Sequence, residues 1–215
     1  MLSKKKIMYA LSEMGNLFPD AHGELNARNP FELLIAVILS AQTTDVTVNK
    51  VTPMLFAAYP TPSALAKADM EDVIEKIKAI GLYRNKAKNI ITASQILVDE
   101  FNGKVPSSHS ELIKLPGVGR KTANVVLGDA FGIPGIAVDT HVERIAKRLK
   151  IVKKDAKVLE VEQTLMKNIP KNLWVQAHHT MIFFGRYHCT AKKPKCVKCP
   201  LLKMCEFKQK GSPIA

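Results

Sequence analysis

Residues 112–126 read Leu-x-x-Leu-x-Gly-Val-Gly-x-x-x-Ala-x-x-Val, and no other stretch constrains the fold so tightly. Apolar residues three and four apart on both sides of Gly117-Val118-Gly119 call for two helices, and the glycines leave only a very tight connection between them. Leu112, Leu115, Val118, Ala123 and Val126 would pack the two helices together, with Ala123 small enough to let their axes approach. With no Cβ at Gly117 or Gly119, the N–H groups of the turn and of the next helix's first turn can come close to an anion such as a phosphate. A turn that merely reverses the chain is the competing reading of the same spacing.

The rest of the chain carries helical periodicity, and no stretch alternates apolar and polar residues over strand length. Asn29-Pro30-Phe31-Glu32 reads as N-cap, N1 proline and N3 glutamate of a helix reaching about Ser40, with Leu33, Leu34, Val37 and Ile38 on its buried stripe. Asp69 caps a helix ending at Gly81, and another runs from Arg84 to about Phe101. Ser108-His109-Ser110-Glu111 is a capping box that Pro116 stops, and Gly132 with Pro134 closes the helix after the hairpin. Asp139, residues 157–168 and residues 173–187 mark the remaining helical segments, with Trp174, Phe183 and Phe184 as core residues. The Gly-Ile-Pro-Gly segment at 132–135 is the expected hinge.

Thirty-two Lys and Arg against nineteen Asp and Glu give a formal charge of +13, the electrostatic footprint of a protein that faces polyphosphate, with an anionic membrane surface or plain solubility as the alternative readings. Between Arg186 and Ala215 stand eight basic residues (Arg186, Lys192, Lys193, Lys195, Lys198, Lys203, Lys208, Lys210) and one acidic residue, Glu206. The same end holds all four cysteines, Cys189-x6-Cys196-x2-Cys199-x5-Cys205. No apolar run is long enough for a bilayer and no secretion signal stands at Met1, so the expected compartment is a reducing cytoplasm and a metal centre is preferred over disulfides. Four-cysteine ligation suits [4Fe-4S]; zinc is the rival, although structural zinc sites pair two short knuckles and only Cys196 and Cys199 are that close.

Leu115-Pro116-Gly117-Val118-Gly119-Arg120-Lys121-Thr122-Ala123-Asn124, followed by Val138-Asp139-Thr140-His141-Val142, resembles the hairpin and catalytic aspartate of the endonuclease III family. Ser40-Ala41-Gln42-Thr43-Thr44-Asp45, Gly81-Leu82-Tyr83-Arg84-Asn85-Lys86-Ala87 and the cysteine tail resemble the same family in the same order, from about Asn29 to Cys205. The resemblance implies an all-α fold of two helical lobes with a DNA cleft between them. Residues 22–133 would form a six-helix, barrel-like domain carrying the hairpin at 112–126, and residues 1–21 with 134–215 a second lobe ending in the cluster loop at 189–205.

The resemblance also implies chemistry. Lys121 would be the nucleophile that displaces a damaged pyrimidine from its sugar and forms a Schiff base, since an amine attacks in its neutral form and the positive end of a helix favours that form. Asp139, also the expected N-cap of the following helix, would activate that nucleophile and stabilise positive charge at the sugar. The plainer readings are a phosphate-contacting lysine and an aspartate that only caps. Because a stacked base must be extruded, Gln42 and Leu82 match the family's inserted wedge residues. Gly117, Val118, Gly119 and Arg120 would hold phosphate, as would Lys192, Lys193, Lys195 and Lys198, while Cys189, Cys196, Cys199 and Cys205 ligate a structural [4Fe-4S] cluster.

The expected partner is duplex DNA with an oxidised or ring-saturated pyrimidine or an abasic site, bound by a monomer of bacterial type, associated with the nucleoid, with no membrane role. His178, His179 and His188 read as packing residues, and His141 as a neighbour of the site. A monofunctional adenine mismatch glycosylase is the nearest rival; that family lacks the hairpin lysine and carries a carboxylate where this chain has Val37. A non-catalytic DNA-binding or redox module is the other alternative, against which Lys121 and Asp139 together argue.

Overall fold

The computed structural model describes residues 1–207; Lys208 and Lys210 lie outside the described residues. The regular elements of its described residues are all helical, with no strand among them. They divide into two compact units, one of residues 24–133 and one of residues 1–23 with 134 onward.

The first unit contains α2 (Pro30–Leu39), α3 (Asp45–Ala58), α4 (Pro62–Ala66), α5 (Met70–Ile77), α6 (Tyr83–Phe101), α7 (His109–Leu112) and α8 (Arg120–Phe131). Short polar side chains start these helices where the sequence signals place them. Asn29, Asp69 and Ser108 each accept a backbone N–H from the first turn, which satisfies donors the helix itself cannot reach. Helix α2 is more deeply placed than a one-sided stripe requires. Every residue from Phe31 to Leu39 except Leu33 is buried, and the helix packs against α3, α6 and α8. Even Glu32 is inside, its carboxylate accepting from the Arg28 guanidinium at 2.6 Å and from the Arg28 backbone N–H at 2.8 Å.

Helix α5 ends at Ile77, one turn before Gly81. Ile80 turns back inward, its N–H donating to the Ile77 carbonyl, and is 2% exposed. The left-handed residue that follows is Leu82 (φ 58°), so the reversal into α6 does not use the glycine. Helix α3 lies outside the segments that the start and stop signals mark, and it continues through Pro53, a residue that argues for a stop.

The hairpin is seated by contact rather than by turn geometry alone. Leu112, Leu115, Val118, Ala123 and Val126 are all buried. Gly117 has φ 80°, and a Cβ there would lie 2.9 Å from Ile38 Cγ2 on α2 and 3.2 Å from Asn89 Nδ2 on α6. Gly119 differs: its backbone is extended and a Cβ would meet nothing within 4 Å.

The second unit is built on α1 (Lys4–Leu17), α9 (Thr140–Arg148), α10 (Val158–Asn168) and α11 (Trp174–Phe183), with its own apolar core around Ile7, Val142, Ile145, Leu165, Met181 and Phe184. Phe184 is core, whereas Trp174 and Phe183 are half-buried, the indole N–H donating to the Ile169 carbonyl. His178, His179 and His188 are buried, in line with packing roles. Helix α11 does not run on to Tyr187 as a regular helix. Residues 184–188 widen to a π pitch that closes with Cys189 N–H on the Phe184 carbonyl at 2.6 Å.

The two glycines should therefore behave differently. Gly117→Ala is expected to lower the unfolding free energy by about 1–3 kcal/mol through its positive φ and its close approach, and Gly119→Ala by less than about 1 kcal/mol. Urea unfolding followed by circular dichroism measures both.

Candidate active site

In the unit of residues 24–133, Gly119 is the N-cap of α8 and supplies no capping side chain. The first turn of α8 therefore has no side-chain cap from its own N-cap residue, at the positive end of the helix. Arg120 and Lys121 occupy that turn, and the Lys121 side chain is exposed.

Gln42 and Leu82 belong to the same unit, are both exposed, and are both left-handed non-glycine residues (φ 54° and 58°). Such backbones cost of order 1–3 kcal/mol and gather at functional positions. Leu82 stands at the N-terminus of α6 with no capping hydrogen bond from its side chain. Gln42 sits in a turn closed by Thr43 N–H on the Ser40 carbonyl at 3.0 Å. One residue connects these turns that the sequence reading gives no role. Lys86, one turn into α6, is 4% exposed and donates from Nζ to Thr43 Oγ1 at 2.8 Å. Burial holds its amine below the ordinary lysine range. Its sequence signal is a lysine within the otherwise small and apolar buried stripe of α6, beside Ala87, Ile90, Ala93 and Leu97.

In the second unit Asp139 caps α9, its Oδ1 accepting from the N–H groups of His141 at 2.8 Å and Val142 at 2.9 Å. Both capping bonds fall on Oδ1, which leaves Oδ2 outside the cap. His141 follows, packed so closely on the 184–188 segment that a Cβ at Gly185 would lie 2.7 Å from its own Cβ. Arg144 reaches from the next turn, donating to the Gly185 carbonyl at 2.8 Å and lying 3.1 Å from His141 Nδ1.

Arg148, at the far end of α9, donates to Cys189 Sγ at 3.1 Å and to the carbonyls of Thr190 and Ala191 at 2.8 and 3.0 Å. All four cysteines line one small pocket with Phe184, His188 and Leu201. Burial pushes the Cys199 thiol up to about 11, and the other three cysteines add to that shift. Four thiolates gathered this way call for a cationic centre among them. Among the described residues no group of three or more His, Cys, Asp or Glu converges on a point that could hold one metal ion. Four cysteines brought to one pocket are the donor type that iron–sulfur clusters and structural zinc both use. Lys192, Lys193, Lys195 and Lys198 are exposed around it.

The pattern of the HhH-GPD superfamily of base excision DNA repair proteins matches residues 35–171. Endonuclease III of Bacillus subtilis (strain 168) is 54% identical over 210 residues, 98% of this chain and 96% of the relative, and that of Escherichia coli (strain K12) is 47% identical over 209 residues, 97% and 99% of the two chains. The chain belongs to the endonuclease III family. A solved endonuclease III trapped as a covalent intermediate with DNA superposes with a TM-score of 0.94 at 60% identity, covering 96% of this chain and 97% of that one. A thermostable thymine-DNA glycosylase at 24% identity shares the fold, with a TM-score of 0.82. Endonuclease III is a bifunctional DNA glycosylase and abasic-site lyase of base excision repair, and the all-α fold expected from the sequence is the one found.

His141 generates a pH effect. Burial pulls its imidazole below the ordinary histidine range; Asp139 opposes that, while Arg144 and Arg186 reinforce it. The folded chain thus takes up this proton at lower pH than the unfolded chain does. Well above about pH 6.5 both states hold a neutral ring and the group leaves stability unchanged; as pH falls through that value the unfolded state is protonated first and stability declines. His141→Gln should flatten part of that decline, read as melting temperature against pH from about 8 to 5.

Proposed function

We propose that this chain removes oxidised or ring-saturated pyrimidines from duplex DNA and cleaves the strand at the resulting abasic site by β-elimination. The observation that carries this reading is Lys121, exposed in the first turn of a helix whose glycine N-cap supplies no capping side chain. Gly117 has a positive φ and is crowded by α2 and α6, but Gly119 has neither constraint, so its bare Cα is best used by something arriving from outside. A backbone phosphate is that ligand, held by N–H groups at the helix N-terminus with Arg120 beside it.

The neutral Lys121 amine attacks C1′ of the damaged nucleotide, the C1′–base bond breaks, and the base departs with the electron pair. The amine loses its proton and the sugar ring opens, giving a Schiff base between Nζ and C1′. Removal of a C2′ proton then expels the 3′ phosphate. Asp139 serves through its carboxylate, which assists deprotonation of the amine and offsets positive charge developing at the sugar. Its anchoring to two backbone N–H groups fixes the orientation of the group.

Gln42 and Leu82 enter the stack when the damaged nucleotide leaves it, Gln42 offering an amide to the widowed base and Leu82 an apolar wedge. Cys189, Cys196, Cys199 and Cys205 hold a [4Fe-4S] cluster. When bound, the cluster supplies a fully ligated structural centre with no open coordination position for hydrolysis. Lys192, Lys193, Lys195 and Lys198 contact the DNA backbone, which positions without specifying sequence. The enzyme acts as a monomer in the cytoplasm, on chromosomal DNA.

Two measurements test this. Borohydride added during turnover of a duplex with one thymine glycol should trap a covalent protein–DNA adduct that Lys121→Ala abolishes. Absence of an adduct on both that duplex and an abasic one removes the lyase assignment. Protein purified without oxygen should contain iron and acid-labile sulfide in equal amounts, and Cys199→Ser should lose both while melting at lower temperature; zinc in their place refutes the cluster.

A further inference from the structure

The part-buried Lys86–Thr43 bond joins the two turns that present Gln42 and Leu82. Lys86 is one turn past Leu82 on α6, its own N–H bonded to the Leu82 carbonyl at 3.0 Å, while its side chain ends on the hydroxyl of the residue after Gln42. We propose that Lys86 is a positioning residue for base extrusion, a tether that makes the Gln42 and Leu82 turns insert as one unit. The proposal rests on the wedge role given to those two residues above.

Stability does not account for this lysine. Among the described residues its ammonium forms no ion pair, and its partner is a neutral hydroxyl. A buried ammonium with so little compensation costs free energy that a methionine of similar length would not. The site instead buys a rigid link between two strained turns. Gln42 and Leu82 each hold a left-handed backbone that an unsupported glutamine or leucine would leave for an ordinary one, and the tether meets both turns within one residue or one helical turn of the strained position. The Lys86 end of the link is buried while Thr43 is half-exposed, and a hydrogen bond from a charged donor gains strength as water is partly excluded. The Thr43 hydroxyl leans on the Ala41 carbonyl at 3.5 Å, so the bond engages both sides of Gln42.

The test is single-turnover kinetics of the full-length, cluster-loaded protein with Lys86→Met, Thr43→Val, Thr43→Ser and the Lys86→Met/Thr43→Val double variant. Two substrates separate extrusion from chemistry: a duplex with thymine glycol paired to adenine, and a single strand with an abasic site, where no pair must be opened. Lys86→Met and Thr43→Val should each slow excision from the duplex by about tenfold or more, and the double variant should be no slower than either single one. Lyase action on the single strand should stay within about twofold, Thr43→Ser should restore excision, and Lys86→Met should unfold in urea no earlier than the parent. Equal losses on both substrates, or losses that multiply in the double variant, overturn the tether. Gln42→Ala and Leu82→Ala run alongside. If they slow the duplex reaction and Lys86→Met does not, the tether alone fails; if they do not, the wedge reading fails with it.

Discussion

The distance at which the hairpin turn rests on α2 and α6 governs the arrangement of the unit that carries Lys121. It is set by an absent atom: at Gly117 a Cβ would lie 2.9 Å from Ile38 and 3.2 Å from Asn89. Any larger residue pushes the turn outward, and α8 begins only three residues later, so its N-terminus and the lysine on it would move too. The contact can have this authority because α2 is buried almost all round and cannot recoil. Asn89 and Lys86 lie three residues apart on α6, so one stretch of one helix braces the hairpin turn and bonds to the Gln42 turn. A single rigid element serving several loops is the economical way to hold separate groups in register.

How far this was legible in the sequence follows from the range of each cause. Asn29, Asp69, Ser108 and Asp139 are readable as caps because a cap bonds backbone two or three residues away. The hairpin was readable for the same reason, as were the four cysteines, whose crowding into residues 189–205 needs no folding to notice. The misses depend on contacts far along the chain. Leu82, and not the glycine at 81, takes the left-handed turn, with Ile80 driven into the core beside it. The Lys86–Thr43 bond spans 43 residues. The π segment shifts the register between α11 and Cys189, and periodicity counted at 3.6 residues per turn passes over it.

Helix α9 shows how one short element can serve two chemical environments. Its N-terminus takes the Asp139 carboxylate, since the first-turn N–H groups and the helix dipole both favour negative charge there. Its C-terminal half carries Arg144, Lys147 and Arg148, which suit the negative end of the same dipole. Two of these cations then turn toward the cysteine segment: Arg144 bonds the carbonyl of Gly185 and Arg148 those of Thr190 and Ala191.

The basic residues of this region thereby divide by chemistry. Arginine points inward, because its planar fork can satisfy several carbonyls and a sulfur at once and is weakly hydrated for a cation. Arg148 does this around Cys189, with its guanidinium also stacked 3.9 Å over the Phe207 ring. Lysine points outward: Lys192, Lys193, Lys195 and Lys198 remain exposed, as strongly hydrated point charges should. Only outward charges can release counterions from a polyanion, and only inward donors can stabilise a buried thiolate. The +13 charge of the chain is therefore not one surface property. In the cysteine segment it is two populations of cations, one fastening the loop and one presented by it, and exchanging arginine for lysine at position 148 would keep the charge while losing the fastening.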